Sequence, residues 1–258
     1  MSRIYILGSC SGTEPKPDRH HTAWVLEHKD QFYWFDAGEN CSYTAHLMGL
    51  DLLKVRNIFI SHPHMDHVGG LENLLWNIRK LTIVRSVSSL EPVTVFTPSQ
   101  PQFDAVRGVL AETEGNFQSC FELDSRKITD GILLDDGSVR VEARHNLHLG
   151  IPENGDWKSF SFRIAAAGKT IVYSGDVRSI DDLDGWTEHC DWLLMENGHH
   201  SPEKVCRQLR EKGARIGHLL WVHHGRAVLA DPAGEKKRAE TAWDAEVMIA
   251  EDKMTLEL

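Results

Sequence analysis

The stretch Ile58-Phe59-Ile60-Ser61-His62-Pro63-His64-Met65-Asp66-His67-Val68-Gly69-Gly70 places three histidines and an aspartate within six positions, directly after an apolar run. Neutral imidazoles and a carboxylate are the ligands that a borderline divalent cation such as zinc takes. An extended His-x-His segment points both rings to the same side, because side chains alternate along a strand. The alternative is a surface turn that happens to be rich in histidine. A metal site accounts better for the crowding.

These residues resemble the His-x-His-x-Asp-His signature of the metallo-beta-lactamase superfamily, which follows a strand and supplies ligands to two adjacent metals. The resemblance implies that His62 and His64 belong to one metal, and that Asp66 and His67 belong to the other. The remaining ligands are then expected at three later strand ends. Because the resemblance covers nearly the whole chain, it implies an α/β fold, the four-layer αβ/βα metallo-beta-lactamase sandwich with the site along one edge.

Size and composition favour one large domain. The chain has 258 residues, of which 41% are apolar and 26% are charged, and a single domain over residues 1–258 is expected. It contains neither a run of about twenty apolar residues nor a charged-then-apolar leader, so we expect a cytoplasmic protein without a membrane partner. The five cysteines are scattered and form no Cys-x-x-Cys pair, which predicts buried thiols rather than disulfides or a thiolate zinc site.

The formal net charge of −10 opposes a general affinity for polyanions, because nucleic-acid binding relies on cations that displace counterions from phosphates. A large nucleic-acid partner is therefore not favoured. Two metal ions would reverse the sign locally, so a small anionic substrate remains compatible with the acidic chain. The sequence leaves a homodimer open.

Apolar patterning predicts alternating strands and helices. The recurrence of Leu71, Leu74, Leu75 and Ile78 predicts a helix with one apolar face, and Asn40 and Ser201 are expected N-caps of two other helices. Residues 112–136 are poorly periodic and could form a substrate-facing cover or a connecting hairpin. The tail, residues 231–258, is expected to form a closing hairpin or edge strands, with residues 235–238 as a solvated loop. Strands are predicted at residues 3–8, 22–27, 31–35, 55–61, 92–97, 139–143, 159–165, 169–176, 191–198 and 216–225.

A strand-ending Asp-x-Gly occurs at Asp36-Ala37-Gly38. In the superfamily such an aspartate lies just behind the metal ligands, and the resemblance assigns this place to Asp36. A carboxylate there can accept the second ring N–H of a ligating histidine and fix its tautomer.

The third ligand motif follows the alternating run at residues 139–143. His145 and His148 both leave this strand, and either ring could reach a metal. The register of the resemblance implies His148 as the ligand.

Two later strand ends complete the implied ligand set. Ser174-Gly175-Asp176 ends an apolar strand and would alone be weak evidence, because an aspartate after glycine is common in surface turns. Following two matched motifs, it resembles the superfamily strand whose terminal aspartate bridges both metals. The resemblance also selects His223 from the pair His223-His224. The first metal is thus expected on His62, His64 and His148, the second on Asp66, His67 and His223, with Asp176 as the bridge.

The segment His199-His200-Ser201-Pro202-Glu203 resembles a His-x-Ser/Thr-x-Glu segment of the transfer-RNA 3′-processing endonuclease branch. There the histidine assists at the phosphate. His199 matches that histidine by its four-residue spacing to Glu203.

A pair of divalent metals with this ligand set implies hydrolysis through a bridging water activated as hydroxide, with zinc expected and manganese or iron tolerated. Asp66 is expected to accept the proton of the water and His199 to assist the leaving group. A phosphodiesterase acting on a small or cyclic phosphodiester is the first interpretation. An RNA 3′-processing endonuclease is the second, because only a short segment stands where many of those enzymes carry a long arm that binds RNA.

A different class also stays open. Iron-containing oxidoreductases use a similar frame, but their usual oxygen-reducing pattern replaces the second motif histidine by glutamate, whereas this chain has His64. The intact ligand set argues against an inactive relative that serves only as a binding module.

Overall fold

The computed structural model describes residues 2–12, 16–113 and 121–258. The chain forms two compact units, each with one seven-stranded mixed sheet. The first unit comprises Met1–Gly8, Lys16–Ile128 and Asp252–Leu258, and the second comprises Ser9–Pro15 and Thr129–Glu251.

The sheet of the first unit is antiparallel on one side and parallel on the other. Its strands, numbered in chain order, are β1 (Arg3–Gly8), β2 (Ala23–His28), β3 (Gln31–Phe35), β4 (Val55–Phe59), β5 (Val93–Thr97), β6 (Leu123–Lys127) and β14 (Thr255–Glu257). They are ordered β14-β1-β2-β3-β4-β5-β6, antiparallel up to β3 and parallel from β3 to β6. The predicted hairpin of β2 and β3 is confirmed.

A ladder of stacked aromatic rings fixes the register of this sheet. Trp24, Phe35, Phe59 and Phe96 are cross-strand neighbours, and their ring centroids lie 4.3, 4.9 and 4.7 Å apart in that order. A one-residue slip would move every side chain to the opposite face and break all three stacks. The ladder therefore sets where the residues that follow β3 and β4 lie.

The helices of the first unit bury one apolar face against this sheet. All four residues of the predicted stripe, Leu71, Leu74, Leu75 and Ile78, are buried in the hydrophobic core of this unit, so the predicted helix is confirmed. The helices are α1 (Cys41–Leu47), α2 (Met65–Val68), α3 (Leu71–Val84) and α4 (Gln100–Ala111).

The sheet of the second unit repeats the division into antiparallel and parallel halves. Its strands are β7 (Gly131–Asp135), β8 (Val139–His145), β9 (Phe160–Ala166), β10 (Lys169–Tyr173), β11 (Cys190–Asn197), β12 (Ile216–His224) and β13 (Met248–Ile249). The order is β13-β12-β11-β10-β9-β8-β7, parallel from β13 to β10 and antiparallel from β10 to β7. The later strand ends that sequence analysis singled out, those of β8, β10, β11 and β12, therefore belong to one sheet.

Helices α5 (Pro202–Glu211), α6 (Arg226–Ala230) and α7 (Pro232–Trp243) complete the second unit. Val205, Cys206 and Leu209 of α5 are buried in its core. Ser201 occupies the N-cap position as predicted, but among the described residues its side chain makes no capping hydrogen bond.

Sequence analysis left two alternatives open for each of two irregular segments. In residues 112–136, strands β6 and β7 do not pair as a hairpin, because each forms the edge of a different sheet. In the tail, β13 and β14 are the edge strands of different sheets, which confirms the edge-strand alternative. Residues 114–120, which include the fifth cysteine, Cys120, lie outside the described part of the chain.

Residues 235–238 lie in helix α7 and not in a loop. Pro232 occupies the first turn, and the Asp231 carboxylate accepts a hydrogen bond from the Gly234 N–H at 2.9 Å, which caps the helix. Arg238 donates to Glu235 at 2.7 Å along the exposed face. The sequence of the charged run favours a loop because its few apolar residues give a weak helical stripe.

None of the helices in the described part of the chain is both long enough and apolar enough to cross a membrane. The four described cysteines, Cys10, Cys41, Cys190 and Cys206, are buried as predicted.

Replacing Leu74 by alanine tests the core of the first unit. Leu74 is fully buried on α3, so Leu74→Ala should lower the free energy of unfolding by about 2–5 kcal/mol in urea titrations. Leu47→Ala is the matched control, because Leu47 is 51% exposed on α1 and its truncation should change stability by less than about 0.5 kcal/mol. Equal losses in the two variants would contradict this account of the core.

Candidate metal centre

The first unit gathers the imidazoles of the opening motif at the end of β4. The ring centroids of His62 and His64 lie 4.6 Å apart, and those of His62 and His67 lie 4.1 Å apart. His62 and His67 are fully buried, whereas His64 is exposed. Asp66 lies beside His67, with its Oδ2 3.7 Å from Nε2 of that ring. The tight segment thus concentrates four candidate ligands, as the sequence predicted.

Asp36 holds the base of this cluster. Its carboxylate is fully buried and accepts hydrogen bonds from the Ser61 N–H at 2.6 Å, from the Ser61 hydroxyl at 2.8 Å and from Nδ1 of His67 at 2.8 Å. With Nδ1 of His67 engaged by Asp36, Nε2 is the ring atom that would bind a metal. The position that the resemblance assigned to Asp36 is therefore matched by its contacts.

The second unit places three imidazoles around one buried carboxylate. Asp176 follows β10 and is 1% exposed. Its Oδ2 lies 3.7 Å from Nε2 of His148, 3.4 Å from Nε2 of His223 and 3.8 Å from Nδ1 of His199. Asp176, His199 and His223 each offer one ligand atom, and these three atoms lie within 4.8 Å of one another. They are close enough together to surround a metal ion. Such an arrangement suits a carboxylate that shares its charge with cations.

The structure separates His145 from His148. The His145 ring stacks on Trp157, with centroids 3.8 Å apart, and its Nδ1 hydrogen-bonds Asp130 at 2.6 Å. His148 instead faces Asp176. This placement supports His148 as the ligand, although both residues leave the same strand.

Backbone conformation and close packing fix the orientation of His223. This residue has a left-handed φ of 52°, which is uncommon for a non-glycine residue. Gly198 lies against its ring, and a Cβ at position 198 would come within 2.5 Å of Nδ1 of His223. Only glycine leaves room for the ring in this position.

Glu196 is a site residue that sequence analysis missed. It is fully buried at the end of β11, where Oε2 accepts the His199 N–H at 3.0 Å and Oε1 lies 3.1 Å from Nδ1 of His199. Oε1 also lies 3.4 Å from Nε2 of His200. The signal was a glutamate within the apolar run at residues 191–197, since a glutamate is rarely buried unless it is paired.

Glu196 and His199 shift each other's pKa. Burial raises the pKa of the Glu196 carboxyl, but the opposing contacts with His199 and His223 outweigh it and hold that pKa at about 2. The hydrogen bond to Glu196 raises the pKa of His199 against the effect of burial. The pair is therefore biased toward carboxylate and imidazolium.

The chemistry of these donors fits divalent metal ions. Buried imidazoles and a buried carboxylate form a typical zinc donor set, and the contact of His67 with Asp36 is the outer-shell support that metal-binding histidines usually have.

Comparison with known proteins supports this interpretation. The model of a family described as Anti-Pycsar protein Apyc1 matches residues 2–211 of the chain. A Ribonuclease Z from Treponema pallidum (strain Nichols) is 36% identical over 94 residues, which cover 36% of this chain and 28% of that protein. A Ribonuclease Z from Methanothermobacter thermautotrophicus is 21% identical over an alignment that covers 100% of this chain and 97% of that protein.

Solved structures show the fold. The metallo-beta-lactamase fold protein YhfI from Bacillus subtilis superposes with a TM-score of 0.74 at 18% identity, covering 100% of both chains. The short form of human tRNase Z gives a TM-score of 0.73 at 22% identity, covering 99% of this chain and 98% of that one. The predicted metallo-beta-lactamase α/β sandwich is therefore confirmed.

The packing of Gly198 against His223 yields a prediction. Gly198→Ala should displace the His223 ring, lower the metal content of purified protein and cost about 1–3 kcal/mol of stability through overpacking. Elemental analysis and urea unfolding measure the two effects. Gly108→Ala is the control, because a Cβ there meets no atom within 4 Å, and it should leave metal content unchanged. Full metal content in Gly198→Ala would contradict the proposed constraint.

A second prediction distinguishes the two histidines that follow β8. His148→Ala should lose metal and activity together, because its ring faces Asp176. His145→Ala should retain the metal, because its ring is held by Asp130 and Trp157. Elemental analysis of both variants checks this, and the reverse pattern would assign the ligand to His145.

Proposed function

This chain belongs to the Anti-Pycsar protein Apyc1 family, and from that membership and the geometry of its buried histidines we propose that it is a metal-dependent phosphodiesterase acting on a small or cyclic phosphodiester. The observation that carries the proposal is the Asp176 carboxylate, buried among three imidazoles of which one, His199, remains open to solvent.

The proposal assigns two divalent cations, with zinc expected, to seven ligands of the chain. When bound, such a pair activates water and stabilises the charge on the attacking and leaving oxygens of an in-line displacement at phosphorus. Asp66 is proposed to accept the proton of the attacking water. The proposed ligands are His62, His64, Asp66, His67, His148, Asp176 and His223.

His199 is proposed as the proton donor to the leaving group. Its Nδ1 is engaged by Glu196, which argues against a role as a metal ligand through that atom. The raised pKa of His199 favours the protonated ring, and 45% of the side chain is exposed, so a substrate can reach it. Glu196 would orient the ring and keep it charged.

A small substrate agrees with the charge and with the connections between strands. The chain carries a formal net charge of −10, which disfavours a long polyanion. The segment from β8 to β9 covers only residues 146–159, so this part of the chain offers little surface to grip an RNA.

An RNA 3′-processing endonuclease is the second candidate. The specific observation in its favour is the name of the curated relatives, Ribonuclease Z. The match spans only 28% of the length of the Treponema pallidum relative.

An iron-containing oxidoreductase is the candidate of a different class. The histidine at position 64 departs from the glutamate that the usual oxygen-reducing pattern has there. Metal analysis of protein purified without added metal separates the two classes, since the hydrolase proposal expects zinc or manganese.

The dependence of turnover on the leaving group tests the phosphodiesterase proposal. His199→Ala should reduce kcat by roughly 10²–10⁴-fold with a cyclic nucleoside monophosphate, whose leaving group is an alkoxide that needs a proton. The loss should be much smaller with bis(p-nitrophenyl) phosphate, because nitrophenolate leaves as a stable anion. Elemental analysis should find the metal content unchanged.

The matched control is His218→Ala, which removes an exposed histidine that stacks on Trp192 in the same unit. It should keep full turnover of both substrates. Equal losses with both leaving groups would remove the proton-donor role of His199. Turnover confined to lactams or thioesters would refute the phosphodiesterase itself, and turnover confined to transfer-RNA precursors would establish the second candidate.

A further inference from the structure

One carboxylate oxygen joins the two loops that carry His148 and Asp176. Oδ2 of Asp182 accepts the Leu147 N–H at 3.3 Å, and Leu147 directly precedes His148. The same oxygen accepts the Arg178 N–H at 2.8 Å, two residues after Asp176. Asp182 itself lies in a 3₁₀ turn, Ile180–Leu183, beyond both loops.

We propose that Asp182 is a positioning residue that sets the separation between the proposed ligands His148 and Asp176. This inference rests on the proposed ligands but not on the identity of the substrate. Both loops hydrogen-bond to the same oxygen atom of Asp182. If one loop shifts and carries Asp182 with it, the hydrogen bond from Asp182 to the other loop is stretched. The 3.7 Å distance between Nε2 of His148 and Oδ2 of Asp176 is thereby fixed from outside the ligand set.

The loop of His148 is held at each successive amide. The Asn146 N–H donates to the Ser159 carbonyl at 3.0 Å, and the His148 N–H donates to Oδ1 of Asn146 at 3.1 Å. The Leu147 N–H, between them, is the one that Asp182 accepts. Three consecutive donors thus have defined acceptors, and one of these acceptors, Asp182, also holds the loop of Asp176.

Arg144 braces the turn that carries Asp182. Its guanidinium donates to the carbonyl oxygens of Asp182 and Asp184, at 2.8 Å each, and lies 4.3 Å from the ring centroid of Trp186. Arg144 belongs to β8, which leads into the His148 loop. The turn is therefore anchored to the strand whose end it positions, so Asp182 acts from a fixed support.

A purely local role for Asp182 would be the capping of its own turn. Ser179 and Asp182 form a capping box, in which the Ser179 hydroxyl accepts the Asp181 N–H and the Asp182 carboxylate accepts the Ser179 N–H at 3.5 Å. Capping explains the contact with Ser179 but not the contact with Leu147, which comes from a distant part of the sequence. The two roles can be separated by substitution.

Metal affinity gives a readout that does not depend on catalysis. Loss of an outer-shell partner of a metal site typically lowers affinity by about 10–100-fold. The full-length chain, stripped of metal with a chelator, is titrated with Co²⁺, and the visible absorption of the bound ion reports both affinity and ligand geometry. Asp182→Ala should weaken binding by about 10–100-fold and change the spectrum, whereas Asp182→Asn, which keeps an acceptor oxygen at the same reach, should restore most of both.

Two neighbouring variants serve as matched controls. Ser179→Ala removes the other half of the capping box but leaves the bonds from Asp182 to Leu147 and Arg178 intact. Asp181→Ala removes an exposed carboxylate of the same turn, which pairs with Lys212 at 2.6 Å. Both should bind Co²⁺ like the wild type, even if their melting temperatures fall.

The outcomes separate this inference from the proposed function. Wild-type affinity and spectrum in Asp182→Ala, or an equal loss of affinity in Ser179→Ala, would reduce Asp182 to a capping residue. Failure of the wild type to bind Co²⁺ would overturn the ligand assignment and the inference with it. A wild type that binds Co²⁺ but hydrolyses no phosphodiester would refute the proposed function, while the effect of Asp182→Ala on binding would still support the inference.

Discussion

Carboxylates buried at the ends of strands are the constraint around which the candidate site is built. Asp36, Asp176 and Glu196 are each at most 1% exposed, and a buried charge is strongly destabilising unless hydrogen bonds or opposite charges compensate it. Each of the three follows or ends a strand, so the loop beyond must supply donors. Histidines of the site supply such contacts: His67 contacts Asp36, and His199 contacts Glu196.

The same contact, a carboxylate on Nδ1 of an imidazole, serves two different purposes in this protein. At His67 the contact of Asp36 with Nδ1 orients a fully buried ring and leaves Nε2 as the atom that suits a metal. At His199 the ring is half exposed, and the bond to Glu196 raises its pKa. The first carboxylate thus orients a candidate ligand, whereas the second favours the protonated form of a ring that solvent can reach.

Backbone strain is concentrated at the same positions. Asp36 and His223 both have a left-handed φ, of 55° and 52°, which costs on the order of 1–3 kcal/mol for a non-glycine residue. In the first unit the stacked ladder of Trp24, Phe35 and Phe59 supports the register next to Asp36. A well-packed sheet can hold a strained residue because the strain could be relieved only by a shift of the strand. Such a shift would break all of the neighbouring packing contacts at once.

The sequence by itself determined what is local. The spacing of His62 to His67, the alternation of apolar residues along the strands and the helical stripe of α3 each depend on neighbours within a few positions, and all agree with the structure. Tertiary structure alone decided that β6 and β7 join different sheets, that Glu196 contacts His199, and that Asp182 contacts Leu147. These depend on which strand ends the sheet register brings side by side, and contacts between residues far apart in the chain leave no periodic signal in the sequence.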